Sequence, residues 1–317
     1  MLHHLKTTTL GSAIALALAA GPAHAADPQS CETVHFSDVG WSCITATTAI
    51  ASKILEALDY EPKATVLSVP VTFKSLSTGD IDAFLGLWLP TQQDMIDPYF
   101  NDGSVERLAT NLEGAKYTLA VPKYVYDGGV KSFADLARFK DKFDGKIYGI
   151  EPGNDGNELI QSMIDAEAFD LGGWELVESS EQGMLSQVDR ATRGDNWIVF
   201  LGWEPHPMNS NFEMAYLDGG DEWFGPNFGG ATVYTLTRKD YAEMCPNVAR
   251  LLSQLAFTLD VENTMMNWML GEGMSPEDAA ARLLTEQPDL LAAWLEGVTT
   301  LDGSQEAVNA VKAGLGM

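Results

Sequence analysis

Short β-branched or aromatic runs alternate with helix-patterned segments along most of this chain, and that alternation restricts it to α/β architectures. Strand character at Thr33–Phe36, Ala64–Val69 and Ala83–Leu87 is separated by helical spacing over 45–58 and 71–78. This β-α-β-α-β rhythm predicts a largely parallel sheet. The rhythm returns after Tyr117–Val121: runs at Lys146–Ile150, Trp174–Val177 and Trp197–Leu201 enclose helical patterns at Asn157–Ala168 and Met184–Arg193. Beyond Tyr234–Thr237 the spacing is that of amphipathic helices, over 248–259, 262–270, 276–286 and 288–296. Two such units and a helical tail, with no extended linker, predict an α/β protein of two lobes. Residues 26–112 with 220–317 form the first, discontinuous lobe and 113–219 the second. Ligands in open α/β sheets bind beyond the carboxyl ends of the strands, which directs the search for a site to those loops.

The first residues carry a different pattern. His3, His4 and Lys6 precede the apolar run Leu10–Ala20 and then Gly21-Pro22-Ala23-His24-Ala25, which reads as a cleaved secretory signal peptide over residues 1–25. The run is shorter than the roughly 20 residues a membrane span needs. Cys31 is the first cysteine, too late to take a lipid at the cleavage point, so the expected location is the periplasm. Disulfides persist there, and the three cysteines Cys31, Cys43 and Cys245 make one pair and one leftover the simplest arithmetic. Cys31 near the mature N-terminus and Cys245 in a late loop look like a staple. A formal net charge of −26 repels nucleic acid and anionic lipid and raises the local concentration of small cations, though solubility alone also accounts for it.

Catalytic patterns are scarce. After the signal peptide the histidines are His35 and His206, and no Cys/His/Asp spacing suits a metal. Gly-x-Ser-x-Gly, the P-loop and Gly-x-Gly-x-x-Gly are absent. No cofactor is expected. A secreted enzyme with Cys43 or Glu204 as its reactive group remains an alternative, without a base and orienter to support it; a scaffold without a small-molecule site is a third class. By contrast, apolar strands repeatedly run into large aromatics: Val39-Gly40-Trp41, Leu85-Gly86-Leu87-Trp88, Lys116-Tyr117 and Leu201-Gly202-Trp203. One buried tryptophan is ordinary packing; three in the same setting point to a cleft. Aromatic faces attract methylated cations at ~0.5–1 kcal/mol per exposed contact and ~2 when desolvated. Trp174, Trp197, Trp223, Trp268 and Trp294 are assigned to packing.

The segments Lys146-Ile-Tyr-Gly-Ile-Glu-Pro-Gly153, Leu176-Val-Glu-Ser-Ser180, Gly202-Trp-Glu-Pro-His-Pro-Met-Asn209, Cys245-Pro-Asn-Val248 and Trp294-Leu-Glu-Gly-Val-Thr-Thr300 carry a resemblance. Through nearly the whole mature chain it resembles the periplasmic binding proteins of ABC importers that take choline, betaines and related onium osmolytes. The resemblance implies a two-lobed type II binding protein that closes by hinge bending, a monomer serving membrane permease and ATPase subunits. It places an aromatic cage on Trp41, Trp88, Tyr117 and Trp203, a ligand-bonding amide on Asn154, and a disulfide on Cys31 and Cys245. Asn154 lies in a strand-to-helix loop whose amides could also receive an oxygen. One departure is Cys43, where the choline binders have an aspartate. Loss of that charge-assisted partner favours a zwitterion such as glycine betaine or dimethylsulfoniopropionate, with trimethylamine N-oxide on the same logic. Glu204 or Glu151 could restore the charge and keep choline open. His206, between Pro205 and Pro207, is either a contact for a ligand carboxylate or a structural residue of a rigid turn.

Overall fold

The computed structural model describes residues 26–317; the signal peptide expected at residues 1–25 lies outside them. Nine strands form one mixed sheet. They are β1 (Thr33–Asp38), β2 (Glu61–Val66), β3 (Ala83–Leu89), β4 (Val105–Pro122), β5 (Lys146–Tyr148), β6 (Glu175–Val177), β7 (Phe200–Glu204), β8 (Met214–Tyr216) and β9 (Gly230–Arg238). Their order is β2-β1-β3-β9-β4-β7-β5-β6, with β8 beside the end of β4. The first helices are α1 (Ser42–Ala57), α2 (Val69–Thr78), α3 (Gln93–Asn101), the single turn α4 (Lys123–Asp127), α5 (Asp155–Asp165) and α6 (Glu181–Arg193).

The α/β class holds, but the sheet is not largely parallel. β1 pairs in parallel with β2 and β3, and β5 with β6 and β7. β3–β9, β9–β4, β4–β7 and β4–β8 are antiparallel. The cause is β4, whose 18 residues run through the middle of the sheet. Its first part pairs with β9, which returns more than a hundred residues later, and its second part pairs with β7. Only Tyr117–Val121 of it is legible in the sequence, because the earlier part carries Glu106, Arg107 and Asn111 among its apolar residues.

Two smaller shifts have local causes. β2 ends at Val66 because Val69 begins α2, with Pro70 in the first turn, where a missing N–H costs nothing. The run predicted at Trp197 starts its ladder at Phe200, since the Trp197 ring packs instead on Phe139 and Phe143, with centroids 5.1 and 5.4 Å away. The tail folds as expected into helices including Pro246–Gln254, Leu259–Met266, Pro276–Glu286 and Asp289–Trp294.

Cys31 and Cys245 form a disulfide with a Cα–Cα distance of 5.7 Å, and Cys43 is a buried free thiol. Beside the bridge, the Asp27 carboxylate accepts the N–H groups of Asn247 and Val248 at 2.8 and 3.1 Å, so the start of the described chain is tied to the first tail helix.

The tail also buries an acid. Glu262, on the helix Leu259–Met266 that packs against α1, is 4% exposed, and burial pushes its carboxyl pKa from 4.5 up to about 8. The folded state therefore holds this proton more tightly than the unfolded chain. Its contribution is fully present below pH 4.5 and is lost as pH rises toward 8. Glu262→Gln is expected to leave the melting temperature nearly unchanged near pH 5 and to raise it by several degrees near pH 8, where each unit of the removed shift corresponds to about 1.4 kcal/mol. Thermal melts at the two pH values check this; an equal change at both would assign the effect to packing.

Candidate functional site

The site assembles where β1, β3, β4 and β7 meet helix N-termini. β1 ends at Asp38, and Gly40, at φ +80°, turns the chain so that Trp41 becomes the N-cap of α1. A residue with a side chain enters that region at a cost, which is why glycine precedes the tryptophan. Asp38 fixes the turn by accepting the Gly40 N–H and the Thr45 hydroxyl, both at 2.7 Å. Trp88 is the penultimate residue of β3 and Trp203 that of β7. Tyr117 is not at a strand end. It lies inside β4, directly opposite Trp203 in the ladder, just past the point where β4 exchanges β9 for β7.

These four aromatics line one small, partly enclosed chamber, concave and largely apolar as small-molecule sites usually are. Tyr117 stands between Trp88 and Trp203, at centroid distances of 6.1 and 6.3 Å with edge-on geometry. Cys43, Gln92, Ile150 and Asp155 complete the wall. All four rings are at least nine-tenths buried.

The outer side of the cage is held by polar contacts. The Trp41 indole N–H donates to Glu151 Oε1 at 2.7 Å. The Tyr117 hydroxyl donates to Asn154 Oδ1 at 2.8 Å, and the same oxygen accepts the Asn157 N–H at 3.2 Å as the cap of α5. Asn154 thus stands behind Tyr117 rather than in the wall. A Cβ at Gly156 would lie 2.0 Å from the Tyr117 hydroxyl oxygen, so only glycine lets this ring seat against the start of α5.

Two other expected residues are not brought to the chamber. Glu204 follows Trp203 on a strand, where successive side chains point to opposite faces; its carboxylate pairs with Lys116 Nζ at 2.7 Å, half-buried on the other side. It neither replaces the missing charge nor offers a reactive group inside the cage. His206 is buried, with Nδ1 accepting the Met208 N–H at 2.9 Å and Nε2 3.3 Å from Glu181 Oε1. That is the structural reading of a rigid turn.

Three residues that carry the site were not singled out in the sequence. Glu181, the first residue of α6, accepts the Ser42 N–H at 3.0 Å as well as the Ser42 hydroxyl, so a buried acid satisfies the open N-terminus of α1. Gln92 takes the Trp88 N–H at 3.2 Å and donates to Asp155 Oδ1 at 3.2 Å. Asp155 is 2% exposed and its Oδ2 has no hydrogen-bond partner, as is also true of the Trp88 indole N–H. Asp155 sits within the loop that drew attention to Asn154, but an acid in the first turn of a helix is ordinary capping chemistry and gives no separate signal.

Asp155 is the one carboxyl residue among the described residues of the wall, and burial pushes its pKa to about 6. Burial also raises the carboxyl pKa values of Asp38, in the turn before Trp41, and of Glu151, on the Trp41 indole. Burial also raises the Cys43 thiol pKa well above 9.0, with Glu262 and Glu181 adding to it, so that side chain is neutral. Among the described residues no lysine or arginine lines the wall.

Comparison with known proteins agrees with this architecture. A solved ABC-transporter choline-binding protein in complex with choline is 57% identical, with a TM-score of 0.90 over 91% of this chain and 100% of that one. An uncharacterized protein, ORF1, of Chromohalobacter salexigens is 57% identical over 129 residues, 41% of this chain and 83% of that protein. The glycine betaine/carnitine transport binding protein GbuC of Listeria monocytogenes is 29% identical over 160 residues, half of this chain and 52% of that protein. The family model described as the substrate-binding domain of ABC-type glycine betaine transport systems matches residues 32–286. The chain therefore belongs to the OpuAC family, whose members bind solutes for ABC importers and are not enzymes.

Proposed function

We propose that this protein captures the methylated onium head of a small osmolyte between Trp41, Trp88, Tyr117 and Trp203 and delivers it, from the periplasm and as a monomer, to the permease and ATPase subunits of an importer. The observation that carries this reading is a small chamber walled by four aromatic rings, with the buried Asp155 carboxyl in its lining and, among the described residues, no basic side chain. Such walls suit a cation that offers no N–H to donate, because the ring quadrupoles attract it by its charge.

Residues 26–112 with 220–317 are proposed to form one lobe and residues 113–219 the other. The Trp41–Glu151, Ser42–Glu181 and Gln92–Asp155 hydrogen bonds then all cross from lobe to lobe around the chamber. They support a closing motion that both completes the cage and satisfies the N-terminus of α1.

For the ligand, the neutral Cys43 thiol favours a zwitterion, glycine betaine or dimethylsulfoniopropionate, with trimethylamine N-oxide on the same footing. A second reading, choline, is favoured by the Asp155 carboxylate in the wall. Calorimetry with the four compounds separates them. Tighter binding of the zwitterions is expected, and strong preference for choline would overturn the role given to Cys43. Cys43→Asp is expected to shift preference toward choline by at least about tenfold, the scale of one charge-assisted hydrogen bond.

A further inference from the structure

We infer that Asp155 is a second residue that discriminates by ligand charge in this chamber: its carboxylate favours the onium charge and lowers the affinity for a ligand that brings a carboxylate of its own. This rests on the onium-binding reading above and deepens it.

The geometry assigns the two carboxylate oxygens different tasks. Oδ1 is committed to the protein, accepting Gln92 Nε2 at 3.2 Å and Asn154 Nδ2 at 3.3 Å. Oδ2 is buried and accepts no hydrogen bond of ordinary geometry, on a side chain that belongs to the chamber wall and that the Thr91 hydroxyl also approaches. A buried carboxylate oxygen without a donor is costly and seldom left so unless something else supplies its partner. The two donors on Oδ1 lock the side chain, so Oδ2 is presented in a fixed direction and not free to swing to solvent.

Among the described residues no basic side chain lines the chamber to balance that charge. The ionisable groups that bear on Asp155 are Glu158 on its own helix, Glu151 in the preceding loop and the protonated hydroxyl of Tyr117 on β4. None of them is a cation. A ligand is then the remaining source of positive charge. An onium head against Oδ2 gains both the ring contacts and a counter-charge, and a ligand hydroxyl would add a hydrogen bond. A ligand carboxylate gains neither and meets a like charge. Burial holds the Asp155 pKa near 6, so at neutral pH the repulsion applies to most molecules.

This locates ligand selection at the start of α5 as well as at the start of α1, where Cys43 leaves the wall uncharged. The two positions act in opposite directions: Cys43 removes the penalty against a zwitterion, and Asp155 retains one.

The test is calorimetry of choline and glycine betaine with the full protein, its Asp155→Asn variant and its Trp203→Ala variant, with a thermal melt of each. Asp155→Asn is nearly isosteric and keeps an oxygen for Gln92, so folding is expected to survive. The choline-to-betaine affinity ratio should fall at least tenfold, through weaker choline binding, tighter betaine binding or both. If the parent binds no choline, a gain in betaine affinity supports the inference and an unchanged or weaker one overturns it. Equal changes for both ligands, or none, overturn it as well. If the asparagine variant does not fold, Asp155→Ser takes its place with the same expected ratio. Trp203→Ala separates this from the underlying reading: if it leaves both affinities unchanged, the cage itself is wrong. If it weakens both while Asp155→Asn leaves the ratio intact, only the role of Asp155 fails.

Discussion

Trp88→Ala and Trp203→Ala are each expected to weaken binding of every onium ligand at least tenfold, with choline and glycine betaine affected alike. A desolvated cation–π contact contributes ~2 kcal/mol and ~1.4 kcal/mol is a factor of ten, so the loss of one ring suffices. Trp88 and Trp203 flank Tyr117 at 6.1 and 6.3 Å, so removing either also frees the central ring to tilt. A trimethylammonium group and its neutral tert-butyl isostere separate charge from shape. The parent should prefer the charged compound, and either alanine variant should lose most of that preference. Because a buried tryptophan truncation costs about 3–5 kcal/mol of stability, affinities must be compared well below each variant's own melting temperature. Unchanged titrations in a folded variant would place the onium site elsewhere.

Opening the disulfide is expected to have the largest effect on stability. Cys31 and Cys245 are 214 residues apart in sequence, so their bond closes most of the described chain into one loop. Removing a native disulfide costs about 2–5 kcal/mol, the upper part of that range belonging to long loops. The paired Cys31→Ser and Cys245→Ser variant should therefore melt roughly 5–15 °C lower than the parent. The bridge does more than restrict the unfolded chain. It sits beside Asp27, which accepts two backbone N–H groups at the start of the helix Pro246–Gln254 and the Tyr60 hydroxyl at 3.0 Å. Loss of the bond is expected to loosen that cluster as well. Neither cysteine is part of the chamber wall, so ligand affinity at low temperature should stay at the parent's value. Equal melting temperatures for the paired variant and an oxidised parent would show that the Asp27 cluster alone anchors the terminus.

The two predictions differ in how much of their basis is readable without coordinates. A glycine directly or shortly before a tryptophan at the end of an apolar run singled out Trp41, Trp88 and Trp203, and all line the chamber. A side chain just beyond a strand is directed by local backbone geometry, and local geometry is what sequence spacing encodes. Tyr117 was found for a partly mistaken reason: it is interior to an 18-residue strand, and it faces the chamber because β4 exchanges neighbours there. Glu204 failed by one position, since alternation along β7 sends it to Lys116 while Trp203 turns inward.

The sequence by itself determined the α/β class, the helical tail, the aromatic side of the site and the neutrality of position 43. Each follows from side-chain period, residue type or a short motif, quantities that need only near neighbours in the chain. Tertiary structure alone decided that β9 pairs with β4 and makes the sheet mixed. It also decided that Glu181 closes the N-terminus of α1, and that Asp155 is the acid left with a free oxygen in the wall. These depend on contacts between residues tens to more than a hundred positions apart. A carboxylate acquires its role only when burial removes its water and the surrounding donors are counted, and no local pattern records which acid will be left unpaired.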